Sequence, residues 1–252
     1  FPSITSERGR PLLEVKGLLD NKTFKDINIV GHAGEIVGLF GLAGCGSIEV
    51  GKAIAGATAY SSGTIHINGK HEPIRSNDPS AALSVGISYI PADRKTEGLL
   101  LDMSVQHNIS VASLRTFLNG PFICQERERD TALSLSELLT IKAPCVGSLT
   151  RTLSGGNQQK ILIARALCCG AKVFIFCEPT RGIDVGAKSE IYKLLGSLLD
   201  KGCFVLLISS ELPEILAMSH RVMVMHKGHI VCEFLADEAT EEKVLQCAFG
   251  KK

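Results

Sequence analysis

Tryptophan is absent from this sequence, and aromatic residues make up only 5% of it. Recognition by stacking nucleic-acid bases on aromatic platforms therefore has little to work with. Neither sign of charge is in excess: 27 basic and 26 acidic residues leave a formal net charge of +1. That balance offers no bulk attraction to a polyanion, so no nucleic-acid partner is expected. No apolar run approaches the ~20 residues that cross a bilayer; Cys203–Ile208 is among the longest. Membrane association is expected only through a partner. The nine cysteines include no CxxC pair, and no secretory signal is recognisable. They are expected to be reduced thiols of a cytosolic core, not a disulfide or zinc framework.

What is present is ordinary globular composition: 252 residues, 45% hydrophobic and 21% charged. That length suits one large α/β domain, or a core domain with a small subdomain. Residues 1–10 are polar, with Pro and Gly, and read as a linker. Short strand patterns at Leu12–Lys16, Ile27–Val30 and Thr64–Ile67 give an N-terminal β portion, the last followed by the turn pair Asn68-Gly69. Glu35–Phe40, Ile87–Ile90, Lys172–Phe176 and Cys203–Ile208 read as buried strands. Helical patterns at Ser47–Ala55, Ser154–Cys169 and Ala187–Leu199 alternate with them, which predicts a mostly parallel, covered sheet. Glu211–Met218 is a short helix, Arg221–Met225 and Ile230–Phe234 a hairpin around Lys227-Gly228, and Glu241–Ala248 a final helix. Between about residues 104 and 150 the periodicity is helical, without a strong strand, and a helical subdomain is expected there.

Gly41-Leu42-Ala43-Gly44-Cys45-Gly46 follows a buried strand and opens a helix, as a phosphate-cradling loop does. In a working loop the next two residues are Lys, which reaches the β/γ-phosphates, and Ser/Thr, which holds Mg²⁺. Here they are Ser47 and Ile48. A literal GxxxxGK spans Gly46 to Lys52, but that register puts Ile48 and Val50 in the loop and Ala53 where a hydroxyl belongs. Lys52 is better read as a solvated helix residue. The strand Val173–Phe176 runs into Cys177-Glu178-Pro179-Thr180, where ATPases of this kind place Asp-Glu. A neutral thiol at Cys177 is a poor ligand for a hard cation, so no confident metal site is assigned. Glu178 remains available to orient water. Asp184 reads as a helix N-cap, and Ser209-Ser210-Glu211 as another helix start. Leu153–Lys160, LSGGNQQK, puts a hydroxyl and bare backbone amides at a helix N-terminus, a geometry that grips phosphate.

Taken together, these pieces resemble the nucleotide-binding domain of ABC transporters over nearly the whole chain. More closely, LSGGNQQK, EPTRGIDVGAKSEIY, SSELPEIL and IPADRKTEGLL resemble the C-terminal half of tandem ATP-binding subunits of monosaccharide importers of ribose, galactoside, arabinose or xylose type. The resemblance implies an α/β P-loop NTPase fold over residues 11–252, with a mostly parallel core sheet, an antiparallel N-terminal portion and a helical subdomain. It implies ATP and Mg²⁺ as ligands, with the metal weak or absent at this chain's own site. Leu153, Ser154, Gly155, Gly156, Asn157 and Gln158 correspond to the signature, which serves ATP held on the loop of a partner half. Gly41, Gly44, Gly46, Ser47 and Ile48 correspond to a degenerate Walker A, and Cys177 with Glu178 to Walker B. Asp184 corresponds to the D-loop, Ser210 to the switch position and Ala92 to the Q-loop position. The departures at Ser47, Ile48 and Cys177 exceed those usual in the family.

The partners this implies are the N-terminal nucleotide-binding half and transmembrane permease subunits, with a periplasmic or extracellular sugar-binding protein reached indirectly. The location implied is the cytoplasmic face of the membrane, held through the permease. The rival readings are a fully active ABC ATPase tolerating unusual residues, an ABC protein of DNA repair or translation, and a partner-binding module that never docks nucleotide. Neutral charge and the lack of a basic stripe speak against the second.

Overall fold

The computed structural model describes residues 8–69 and 76–251. The expected linker at residues 1–10 lies outside the described residues except for 8–10. In chain order the elements begin with β1 (Pro11–Leu19), β2 (Ile27–His32), β3 (Ile36–Gly41), α1 (Ser47–Ile54), β4 (Ser62–Ile67), α2 (Pro79–Ser84) and β5 (Ile87–Ile90). Then come α3 (Val105–Ser110), β6 (Leu118–Asn119), β7 (Phe122–Ile123), α4 (Gln125–Leu138) and α5 (Gly155–Cys168). The chain continues through β8 (Val173–Cys177), α6 (Val185–Asp200) and β9 (Phe204–Ile208). It closes with α7 (Leu212–Met218), β10 (Arg221–His226), β11 (His229–Leu235) and α8 (Glu241–Ala248). By contacts it divides into two units, one of Phe1–Tyr89, Lys172–Glu178 and Leu195–Lys252, the other of Ile90–Ala171 and Pro179–Leu194.

In the first unit the central sheet has the order β11-β10-β3-β9-β8-β5. β10, β3, β9 and β8 pair in parallel, and the β10–β11 hairpin adds an antiparallel edge. VFIFC of β8 and FVLLI of β9 are buried at every position, as unbroken apolar runs are when both faces of a parallel sheet are covered. Each such side chain contributes about 1.5–3 kcal/mol on burial, so these strands anchor the unit. A separate antiparallel sheet, β2-β1-β4, packs against the central one. The approach is close: a Cβ on Gly31 of β2 would lie 2.3 Å from the ring of Phe204 on β9. Thus the α/β fold, the mostly parallel core sheet and the N-terminal antiparallel portion are as expected.

A buried ion pair, not anticipated from the sequence, joins the ends of this unit. Glu35 is fully buried and accepts from Arg221 Nε at 2.8 Å, Arg221 Nη2 at 3.3 Å and the His32 N–H at 3.0 Å. Arg8 adds a fourth contact at 2.9 Å. The expectation that all cysteines are reduced needs correction: Cys232 on β11 and Cys247 on α8 form a disulfide, with Cα atoms 6.4 Å apart. The hairpin and the last helix were each legible, but only the fold sets α8 against β10 and β11 and brings the two thiols to bonding distance.

The second unit is helical, with α3, α4 and α5 packed on one another. It also holds a two-residue hairpin, β6 with β7, inside the stretch expected to lack strands. Asn108, fully buried, satisfies its amide against Leu100 O at 2.8 Å and Thr150 Oγ1 at 3.0 Å. Arg165 of α5 reaches Asn108 O at 2.6 Å and Gly98 O at 2.7 Å, binding α3 and the 94–98 turn to α5. Lys160, buried on α5, pairs with Glu190 of α6 at 2.8 Å. No helix among the described residues is long and apolar enough to cross a membrane.

Candidate nucleotide and phosphate sites

The loop Gly41–Gly46 carries the chain from β3 into α1. Gly44 and Gly46 sit at φ +78° and +99°, where a Cβ is strained. At Gly46 a Cβ would also meet the backbone oxygen of Thr23 at 2.5 Å, so glycine is required twice over. The Thr23 wall is itself fixed, because Asp20 accepts from the N–H groups of Lys22, Thr23 and Phe24 and from the Thr23 hydroxyl. Burial pushes the Asp20 carboxyl up, but the Phe24, Thr23 and Lys22 donors outweigh it and hold it at about 2. Cys45 is buried under the loop, and its carbonyl accepts from Gly228 N–H at 3.0 Å. The cradle is therefore built, with backbone amides at the start of α1. Ser47 and Ile48 are the first residues of that helix and are half-buried. The alternative register is excluded: Ser47–Ile54 is helical and includes Lys52, and a Cβ on Gly51 would meet Ile208 Cδ1 at 2.7 Å.

At the end of β8, Cys177 is fully buried, its sulfur 3.3 Å from where a Cβ on Gly51 of α1 would lie. Glu178 follows at φ +50°, an uncommon conformation for a non-glycine residue. Its N–H bonds Ile208 O at 2.8 Å, and its Oε1 accepts the Ser210 N–H at 2.8 Å. Glu178 and Ser210, proposed from sequence as catalytic and switch positions, thus meet directly. The carboxylate is tied to the backbone of Ser210.

The remaining sequence-derived positions lie in the second unit. Ser154 is the exposed N-cap of α5, and its hydroxyl does not cap its own helix. Instead Ser154 Oγ accepts from Asn157 Nδ2 at 3.0 Å, while Asn157 Oδ1 accepts the Lys142 N–H at 2.8 Å. The first N–H groups of α5 lack partners within the helix, as at any N-terminus. Gly156 is buried, and a Cβ there would lie 2.8 Å from Ala187 Cβ on α6. Asp184 accepts the Ala187 N–H at 2.9 Å and so caps α6, as expected. Ala92 lies just after β5 and offers no side-chain donor or acceptor. Arg94, within IPADRKTEGLL, donates from its guanidinium to Arg181 O at 2.9 Å and Gly182 O at 3.1 Å, a contact that the sequence does not announce. Leu153, Gly155 and Gln158 share with Arg94, Lys95, Arg151 and Gly182 the lining of a cavity of about 370 Å³.

The two sites differ in chemistry. The loop Gly41–Gly46 brings backbone amides to the start of α1, a setting known to receive phosphate, although the Cys45 N–H is already given to Leu42 O at 2.9 Å. Of the side chains here, Cys177 offers sulfur, Ile48 offers no donor atom, and one Glu178 oxygen accepts the Ser210 N–H. Among the described residues no cluster of His, Cys, Asp and Glu could hold a metal. At the start of α5, by contrast, Ser154 is exposed, Gly155 is half-buried and Gly156 is buried.

The model of the ABC transporter family matches residues 24–181. Ribose import ATP-binding protein RbsA 1 of Streptomyces avermitilis is 44% identical over 98% of this chain and 47% of its own length. A putative ribose/galactose/methyl galactoside import ATP-binding protein 3 of Burkholderia ambifaria is 47% identical over 94% of this chain and 46% of its own. The chain therefore spans about half the length of the curated relatives it matches. Among solved structures, a nucleotide-free ATP-binding cassette from an ABC transporter superposes with TM-score 0.78 over 96% of both chains at 20% identity. A bacterial ABC transporter cassette solved as a dimer gives TM-score 0.72, covering 89% of this chain and 99% of that one at 19% identity.

Proposed function

The chain belongs to the ABC transporter family, and from that premise we propose that it is the C-terminal nucleotide-binding half of a tandem importer ATPase. The cargo is a monosaccharide of the ribose or galactoside class, a reading supported by the names of its relatives. Coverage of about half of those relatives supports the tandem arrangement. Its partners are an N-terminal nucleotide-binding half, the permease subunits that hold it at the cytoplasmic face of the membrane, and through them a sugar-binding protein. The residues 91–101 and the helical region around 104–147 are the proposed permease contact.

One observation carries the proposal: the signature turn is fully equipped, while the chain's own loop lacks the side chains for metal and γ-phosphate. Ser154 Oγ and the N–H groups of Gly155 and Gly156 bind the terminal phosphate of ATP seated on the partner's loop. They supply charge stabilisation from preorganised donors where negative charge develops. ATP brings the two halves together, and that closure is passed to the permease. At the chain's own loop the amides of Gly44–Ser47 hold phosphate weakly. No hydrolytic step is assigned there, because Ser47, Ile48 and Cys177 cannot replace Lys, Thr and Asp. The test is turnover. The chain alone hydrolyses ATP negligibly, and mixing with an N-terminal half that carries an intact loop produces steady ATPase. Turnover by the isolated chain in the ordinary enzymatic range, roughly 1–10³ s⁻¹, would sink the proposal.

A further inference from the structure

We propose that Arg94 is a positioning residue, a guanidinium clasp that holds the signature turn and the 181–184 loop in one fixed arrangement. The inference rests on the reading that the signature acts in trans, and it names what sets its geometry. Arg94 Nη1 donates to Arg181 O at 2.9 Å and Nη2 to Gly182 O at 3.1 Å, so both arms of the fork engage consecutive carbonyls. Its Nε points at Gln158 Oε1, 3.4 Å away, on the first turn of α5. Gln158 is in turn buried and donates to Thr150 O at 3.2 Å. A planar, rigid fork makes this bridge; an ammonium could satisfy one carbonyl but not hold the pair.

The neighbouring residues are shaped around the clasp. Gly155 has no side chain where one would collide: a Cβ there would lie 2.4 Å from Arg94 Nη2. Asp93 fixes the start of the turn that presents Arg94, accepting the N–H groups of Lys95 at 3.0 Å and Thr96 at 3.2 Å. Gly182 takes φ +66°, a conformation open to glycine, and its carbonyl accepts from the guanidinium. Two residues on, Asp184 caps α6 through Ala187, against which Gly156 packs. The path Gly155–Arg94–Gly182–Asp184–Ala187–Gly156 thus closes on itself. Arg94 touches no reacting atom; its part is to keep the Ser154, Gly155 and Gly156 donors aimed. Misplacing such donors by about 1 Å can lower a rate about a hundredfold.

The test uses Arg94→Ala and Arg94→Lys, with Ser154→Arg as a control. On the chain alone, hydrogen–deuterium exchange should rise at least severalfold in peptides covering 155–158 and 179–188, with β3, β8 and β9 unchanged. In the mixture with an N-terminal half, both Arg94 variants should lower kcat about 10–100-fold and leave the Kd for ATP at the partner's loop within twofold. Added guanidinium should restore part of the lost kcat to Arg94→Ala, which a general structural defect would not allow. Unchanged exchange in those peptides overturns the clasp regardless of any partner. Unchanged kcat in the Arg94 variants overturns the positioning role, provided Ser154→Arg abolishes turnover. If Ser154→Arg is also fully active, the trans reading is what has failed, and the exchange result alone decides the clasp.

Discussion

Placing Lys, Thr and Asp at positions 47, 48 and 177 is a quantitative test of the proposal that the chain's own loop is degenerate. The perturbation is Ser47→Lys with Ile48→Thr and Cys177→Asp. Cys177 is fully buried at the end of β8, so a carboxylate placed there loses its hydration. Desolvation will raise its pKa and favour the neutral acid, and an unpaired buried polar group costs about 1–3 kcal/mol. For a chain of this size that lowers Tm by roughly 2–4 °C per kcal/mol. Lysine at position 47 enters at the N-terminal turn of α1, where the helix dipole disfavours a cation unless an anion is present. Each change is therefore unfavourable without nucleotide and favourable with it. A charge-assisted hydrogen bond contributes about 1.5–3 kcal/mol, or about 10–100-fold in Kd for each one regained. Equilibrium binding of labelled ATP, with Mg²⁺ and with chelator, is the assay. The triple variant should bind Mg-ATP at least ~100-fold more tightly than the parent chain and lose much of that gain in chelator, whereas Cys177→Asp alone should melt earlier and bind no better. Equal Mg-ATP affinity of parent and triple variant would refute the assignment of the defect to these positions.

Gly46→Ala should destabilise the first unit by at least about 1–3 kcal/mol from backbone strain alone, with more from the 2.5 Å approach to Thr23 O; thermal melts would show it, and an unchanged Tm would contradict the loop geometry. Burial pushes the Glu35 carboxyl up, but the Arg221 hydrogen bonds and charge and the His32 donors prevail and hold it below the usual carboxylate range. Its folded pKa lies below its unfolded one, so its stabilisation is fully present above the unfolded value of about 4.3 and lost as pH falls through the folded value. Melts from pH 7 down to 3 should show that loss, and Glu35→Gln should cost about 3 kcal/mol at pH 7 while flattening the acid slope. A variant that keeps the parent's acid slope would contradict the pair's role.

The strands of the parallel sheet were within reach of the sequence because they are unbroken apolar runs such as Phe204–Ile208 bounded by turn residues, while their order was not. The turns at Gly41–Gly46 and Leu153–Gly156 stand out in the sequence because their pattern is local: glycines at a helix start need no distant partner to be recognised. What was missed is non-local. Glu35 and Arg221 are 186 residues apart, and nothing in either segment marks its partner. Cys232 and Cys247 belong to elements that were each identified, yet strand and helix patterns carry no information about which residues face one another. Arg94 sat within a quoted motif, but its role appears only once the 181–182 carbonyls are in place. The tie between Glu178 and Ser210 likewise depends on two neighbouring parallel strands ending at the same level.

The central claim is that this chain's share of catalysis is the signature turn, offered to ATP on another half. It is tested most directly by steady-state ATPase of this chain mixed with an N-terminal half bearing an intact loop, with Ser154 either present or replaced by Arg. The account predicts turnover with Ser154 and its near-complete loss in Ser154→Arg, with ATP still bound by the N-terminal half. Undiminished turnover in Ser154→Arg would contradict it.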